Sequence, residues 1–343
     1  MSDKLRVLVA SPLEPEHVEA IEAADRRLEV LYEPDLLPRP RYPADHTGVR
    51  PELPEPELKR WRDLLARAQV SFDFDWWDPA GMPVNCPDLR WVQATSAGIG
   101  QFVRRTRLSD SDLVLTTAAG VHAVPLAEFA LTGVLHFVKG LPELRRWQAA
   151  RHWERYTTRG LAGRRVVVVG LGGIGRQVVR VFSALGVEVV GVGRPGRAYD
   201  VPGLTELHPF TAIDAALAGA DALVLACPLT DETEGLIGAG QLAALAPGAV
   251  LVNIARGQVV DEGALVDALA ARHLGGACLD VFSTEPLPTG SPLWGMDNVI
   301  VSPHSASTVD SENGTITELF TDNLRRWLDG RPLRNLFDRE RGY

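Results

Sequence analysis

The run Arg165-Val166-Val167-Val168-Val169-Gly170-Leu171-Gly172-Gly173-Ile174-Gly175-Arg176 constrains this chain more than any other stretch. Four consecutive valines predict a strand buried on both faces. They lead directly into G-x-G-x-x-G, and Ile174, Val178, Phe182 and Leu185 then recur about one helical turn apart. Strand, glycine turn and helix in that order form the context a dinucleotide-binding fingerprint requires. Gly170 permits the tight turn, Gly172 lets the backbone approach a pyrophosphate, and Gly175 lets helix and strand pack closely. The unpaired N–H groups of Gly173, Ile174 and Gly175 at the helix start face the phosphates, aided by the helix dipole.

The length of 343 residues suggests two domains, each with its own core. A net charge of −9 speaks against a broad nucleic-acid or anionic-membrane surface. No membrane-spanning apolar run is evident, and the first residues read as the start of a strand, not a signal peptide. Cys86, Cys227 and Cys278 are odd in number and widely spaced. They fit a reducing cytoplasm and offer neither a disulfide framework nor a metal site.

In the first third, strands are expected at residues 5–10, 28–32, 70–74 and 89–94, and helices at 14–23 and 58–68. Seven prolines mark 34–56 as an irregular excursion. The turn Ser96-Ala97-Gly98-Ile99 either presents backbone N–H groups to a carboxylate or is an ordinary tight connection. Residues 124–138 predict a long apolar helix. From 165 onward six strands (166–169, 187–192, 222–226, 249–254, 277–279, 299–301) alternate with helices at 212–217, 241–245 and 264–271. A doubly wound parallel sheet follows from that rhythm. A last helix, 311–328, is too short a remainder for a third domain and is expected to return to the first.

Folds of this kind that prefer NAD carry an acidic residue about 20 positions after the glycines, on the ribose diol. Here Arg194 stands nineteen positions after Gly175 (194 − 175), with Arg197 close by. Two guanidinium groups pair well with a 2′-phosphate, so NADP is expected over NAD. The competing reading is solvated loop charge that stacks on adenine.

Three more motifs end predicted strands: Asn253-Ile254-Ala255-Arg256-Gly257, Asp280-Val281-Phe282-Ser283-Thr284-Glu285-Pro286 and Val301-Ser302-Pro303-His304. Ligands of open α/β sheets sit beyond the carboxyl ends of the strands. There an arginine can bind a carboxylate and polarise a neighbouring carbonyl, and a histidine can exchange a proton with that oxygen. A glutamate orients the imidazole and favours its protonated form. His122 is the second histidine candidate, with a helix-entry role as its alternative. The Trp76-Trp77 pair reads as core, with lining of the cleft mouth as its alternative.

With these motifs, Cys227-Pro228-Leu229-Thr230-Asp231-Glu232-Thr233 and residues 253–265, the chain resembles the D-isomer-specific 2-hydroxyacid dehydrogenases. That family includes glyoxylate/hydroxypyruvate reductases, D-lactate dehydrogenases and phosphoglycerate dehydrogenases. The resemblance implies a Rossmann cofactor domain (118–305) inserted into a smaller, discontinuous, flavodoxin-like substrate domain (1–117 and 306–343). It implies Arg256, Glu285 and His304 as the catalytic set, with Arg256 also binding substrate. It implies a substrate carboxylate held by Ser96, Ala97, Gly98 and Ile99. Asp280 would contact the nicotinamide carboxamide, and Cys227, Pro228, Thr233 and Ala255 would line the cofactor, Cys227 as a packing residue. A homodimer through the cofactor domain is the family's common assembly. Glu285 departs from the glutamine usual in the related formate dehydrogenases, and the added regulatory domain of longer phosphoglycerate dehydrogenases is not expected. The implied reaction is reduction of a small 2-keto acid such as glyoxylate or hydroxypyruvate. A dinucleotide-sensing, corepressor-like binding protein is the alternative function on the same fold.

Overall fold

Runs of β-branched residues become the strands of two all-parallel sheets in the computed structural model, which describes residues 4–342. The chain starts with β1 (Leu5–Val9), α1 (Pro15–Glu22), β2 (Leu28–Leu31), α2 (Glu55–Arg67) and β3 (Val70–Phe72). It continues through α3 (Met82–Asn85), β4 (Trp91–Gln93), α4 (Gly100–Arg105) and β5 (Val114–Thr116). Next come α5 (Ala123–Val138), α6 (Leu141–Ala150), β6 (Arg165–Val169), α7 (Gly173–Ser183), β7 (Glu188–Gly193) and β8 (Leu204–Pro209). Then follow α8 (Ile213–Leu217), β9 (Ala222–Leu225), α9 (Ala239–Ala244), β10 (Ala249–Asn253), α10 (Glu262–Ala270), β11 (Leu274–Leu279), β12 (Val299–Val301) and α11 (Glu312–Leu328). Two compact units result: one runs up to His122 and resumes at Thr308, the other runs from Ala123 to Ser307.

The first unit holds a five-stranded sheet in the order β2-β1-β3-β4-β5. Trp61, Leu64 and Leu65 of α2 cover one face, with Leu8, Val92 and Leu115. Val18 and Ile21 of α1 and Ile316, Phe320 and Leu324 of α11 cover the other, with Val7, Val9 and Phe72. The terminal helix therefore completes the core of the first unit. The strand β5 and the short helices α3 and α4 lie where only loop is expected; with three to six residues each, they are too short to show a period. The proline-rich excursion closes on itself through an antiparallel bridge between Arg39 and Val49. Inside it, the buried Asp45 accepts hydrogen bonds from Arg41 N, Arg41 Nε and Gly48 N. Trp76 is buried, whereas Trp77 is largely exposed.

The second unit holds seven strands in the order β12-β11-β10-β9-β6-β7-β8. Val167 and Val169 of β6 enter one core and Val166 and Val168 the other, which explains the unbroken valine run. The order reverses between β6 and β9, the switch point at which such sheets bind ligands. Six strands are expected here and seven form. The extra one, β8, pairs only with β7 and exposes most of its residues, so it carries no apolar signal. A second correction concerns Leu185: it lies past the end of α7 and is 43% exposed, and the buried stripe is Val178, Val179 and Phe182. No single helix among the described residues is long and apolar enough to cross a membrane. The most apolar one, α5, packs on β10, β11 and α7.

Candidate active site

The glycine turn is built as its chemistry requires. Gly170 has φ +95°, and a Cβ there would come within 2.6 Å of the Cys227 backbone, because the ends of β6 and β9 converge. A Cβ on Gly175 would lie 1.8 Å from Gly170 O, so α7 meets its strand only through glycine. A Cβ on Gly172 would meet nothing within 4 Å. Gly173 and Ile174 open α7, whose first N–H groups lack intrahelical acceptors. Open space over Gly172 beside a helix start fits a pyrophosphate, so the residues present suit a dinucleotide.

Around this turn, Cys227 is buried, and burial pushes its thiol up to about 12, which removes it as a nucleophile. Pro228 is exposed, and Ala255 is buried. Thr233 donates its hydroxyl to Pro228 O at 2.7 Å and accepts from Thr230 N at 2.8 Å, so it shapes the loop after β9. At the end of β7, Arg194 N donates to the Tyr199 hydroxyl, and the exposed Arg197 lies 5.1 Å above the Tyr199 ring. Tyr199 stacks there because Gly193 leaves it room.

Beyond β10, Asn253 accepts from Ala255 N and donates to Arg256 O, both at 3.0 Å, which fixes the loop carrying Arg256. Burial disfavours the charged form of the Arg256 guanidinium, and Glu285 and Asp280 partly offset this. A Cβ on Gly257 would lie 1.9 Å from the Phe282 carbonyl carbon, so the arginine loop is clamped on the loop that bears Glu285. Glu285 accepts from Phe282 N through Oε1 at 3.0 Å and pairs through Oε2 with His304 Nδ1 at 2.8 Å. The pair leaves His304 Nε2 as the nitrogen for exchange with a ligand. His304 itself adopts φ +54°.

Asp280 is the surprise. It is 3% exposed, and its Oδ1 accepts from Ser302 Oγ (2.5 Å), Ser305 N (2.8 Å) and Ala306 N (3.0 Å). It thereby ties down both sides of His304, a job its place in the sequence does not announce.

The first unit carries Ser96, Ala97, Gly98 and Ile99 between β4 and α4. Ser96 and Gly98 are exposed and Ile99 is buried. His122 is buried and pairs through Nε2 with Glu312 Oε1 at 3.1 Å, consistent with the helix-entry alternative.

The family model for the D-isomer specific 2-hydroxyacid dehydrogenase, NAD binding domain, matches residues 131–306. The (S)-sulfolactate dehydrogenase of Chromohalobacter salexigens is 32% identical over 90% of this chain and 94% of its own. A D-isomer specific 2-hydroxyacid dehydrogenase from Xanthobacter autotrophicus Py2, solved in complex with NADPH and MES, superposes with a TM-score of 0.79. It is 32% identical, with all of both chains covered. The NADPH-dependent glyoxylate/hydroxypyruvate reductase of Sinorhizobium meliloti, solved with NADP and sulfate, gives 0.76 at 25% identity over 99% of this chain and 100% of that one. The chain belongs to the D-isomer specific 2-hydroxyacid dehydrogenase family, NAD(P)-dependent oxidoreductases acting on CH–OH groups.

Proposed function

We propose that the protein reduces a small 2-keto acid, such as glyoxylate or hydroxypyruvate, to the D-2-hydroxy acid. The observation that carries this reading is the Glu285–His304 pair at 2.8 Å, with Arg256 on the adjoining clamped loop. Bound nicotinamide dinucleotide supplies the hydride that reaches the carbonyl carbon. His304 delivers the proton from Nε2 to the carbonyl oxygen, and Glu285 holds the ring through Nδ1. Arg256 binds the carboxylate and stabilises charge on the developing alkoxide, and partial burial strengthens that field. Backbone N–H groups of Ser96, Ala97, Gly98 and Ile99 hold the substrate carboxylate, which makes the unit of the two chain ends the substrate domain.

Gly170, Gly172, Gly173, Ile174 and Gly175 hold the pyrophosphate. Cys227, Pro228, Thr233 and Ala255 line the cofactor, and Asp280 keeps Oδ2 for the nicotinamide carboxamide. Arg194 and Arg197 receive a 2′-phosphate, so NADPH is preferred, in keeping with the NADPH and NADP of the two similar structures. The functional protein is a homodimer through the cofactor unit. No residue of α6 is buried, and Trp153, which follows it, is 96% exposed, an apolar arm that a second copy covers. A monomeric mass in solution overturns that part.

The test is NADPH consumption by the wild type and by His304→Ala with glyoxylate, hydroxypyruvate, pyruvate, phenylpyruvate and 2-ketoisocaproate. Turnover that depends on His304 is expected. Cofactor binding with no turnover of any of these acids overturns the reading in favour of a dinucleotide sensor.

A further inference from the structure

The first unit contains a second polar cluster that the reaction above does not use. It lies at the carboxyl end of the five-stranded sheet, beside the β1/β3 switch point. Ser11 follows β1, Asp73 follows β3, and Thr95 follows β4 immediately before the Ser96–Ile99 turn. The proline-rich loop, braced by Asp45, brings in His46. His46 Nδ1 lies 2.8 Å from Ser11 Oγ, and its Nε2 is buried without a hydrogen-bond partner among the described residues. Asp73 has φ +69°, a conformation that Asp tolerates better than most residues. It accepts from Phe74 N through Oδ1 and from Thr95 Oγ1 through Oδ2, both at 2.9 Å, and lies close enough to His46 for their charges to interact. Nearby, Glu312 Oε2 is also buried without a partner. Buried polar atoms left unpaired in one cluster mark a place where a polar group is missing.

The chemistry of that group can be read from the donors and acceptors. Burial favours the neutral form of His46. With the Ser11 hydroxyl donating to Nδ1, the ring proton is on Nε2, which then donates. Asp73 is bonded by Phe74 N, Thr95 N and Thr95 Oγ1, which leaves about one of its acceptor positions open, and burial pushes its carboxyl above the usual range. One donor facing one acceptor matches a hydroxyl, which both accepts and donates. The titratable groups that act most on His46 are Asp73, Glu312, His122 and Asp45. His122 is engaged by Glu312, and Arg41 by Asp45. A phosphate or sulfonate there meets the carboxyl groups of Asp73 and Glu312.

We propose that His46 and Asp73 determine substrate specificity by reading a hydroxyl on the carbon next to the keto group, and that the same carboxylate rejects anionic substituents there. The proposal rests on the 2-keto acid reductase reading, since the Ser96–Ile99 turn beside Thr95 must hold the substrate carboxylate.

The test compares kcat/KM for hydroxypyruvate, pyruvate, 3-phosphohydroxypyruvate and 3-sulfopyruvate in the full chain with NADPH, for wild type, Asp73→Asn and His46→Ala. Asparagine also tolerates positive φ, and retained pyruvate turnover by each variant reports an intact first unit. Wild type is expected to prefer hydroxypyruvate over pyruvate and to reject both anionic substrates. Each variant lowers the hydroxypyruvate-to-pyruvate ratio by roughly 10–100-fold, the worth of one hydrogen bond involving a charged or buried partner. Asp73→Asn also admits the anionic substrates. A ratio that neither variant moves, or wild-type turnover of the phosphorylated or sulfonated acid as fast as of hydroxypyruvate, overturns the proposal alone. No turnover of any 2-keto acid, glyoxylate included, overturns the reductase reading and the proposal with it.

Discussion

Replacement of Asp280 by alanine removes the anchor of the His304 loop. Three donors, Ser302 Oγ, Ser305 N and Ala306 N, converge on one carboxylate oxygen at 2.5–3.0 Å. Hydrogen bonds to an ionised acceptor are worth about 1.5–3 kcal/mol each. The donors are half-buried, so water replaces part of the loss and the low end applies. Together the three bonds hold the loop by about 4 kcal/mol. Against this, the positive φ of His304 costs a non-glycine residue about 1–2 kcal/mol, which the loop sustains only while it is anchored. Asp280→Asn keeps an oxygen of similar shape but loses its charge, so about half of the anchoring, roughly 2 kcal/mol, goes. Amide hydrogen exchange of Ser305 and Ala306, measured without cofactor, reads this directly. Protection should fall about 10³-fold in Asp280→Ala and about 30-fold in Asp280→Asn, at 1.4 kcal/mol per decade. Unchanged exchange at these two amides in Asp280→Ala would refute the anchoring argument, whatever happens to activity.

Gly257→Ala places a Cβ against the Phe282 carbonyl and pries the Arg256 loop from the Glu285 loop. Turnover should fall more than about tenfold while dinucleotide binding by fluorescence titration stays near wild type, since a shift near 1 Å suffices for such a loss. Arg194→Ala should raise the KM for NADPH far more than that for NADH, and an equal rise in both removes the 2′-phosphate assignment. The Arg41 guanidinium holds Asp45 well below the usual carboxylate range. Such a depressed group contributes stability that is present above its unfolded value, about 3.9, and is lost as pH falls toward the folded one. Urea midpoints of Asp45→Asn should therefore lie below wild type at neutral pH and converge with it under acid conditions; parallel curves count against the pair.

The carboxyl ends of β6, β10, β11 and β12 were legible because local rules decide them. A valine run buried on both faces makes a parallel strand, and glycine, asparagine or a charged residue directly after it stands at the ligand end. The resemblance named Arg256, Glu285 and His304, and the 2.8 Å contact between the last two joins residues nineteen positions apart. Less legible were elements whose stability comes from neighbours. The strand β8 forms because β7 offers it an unpaired edge, and its own residues are mostly exposed. Helix α6 lacks a buried face in the single chain, so periodicity gave no warning of it.

By itself, then, the order of residues determined the parallel αβ alternation, the glycine cradle and the strand-end positions of the reactive groups. Those depend on steric limits and hydrophobic period within a few residues of one another. Only the tertiary structure decided that Asp280 grips the loop around His304 instead of merely facing a ligand. Only it gathered Ser11, His46, Asp73 and Thr95 at one sheet end. Hydrogen bonds between groups dozens of residues apart exist once packing has set their distances, and nothing in the local sequence encodes which donor will meet which acceptor.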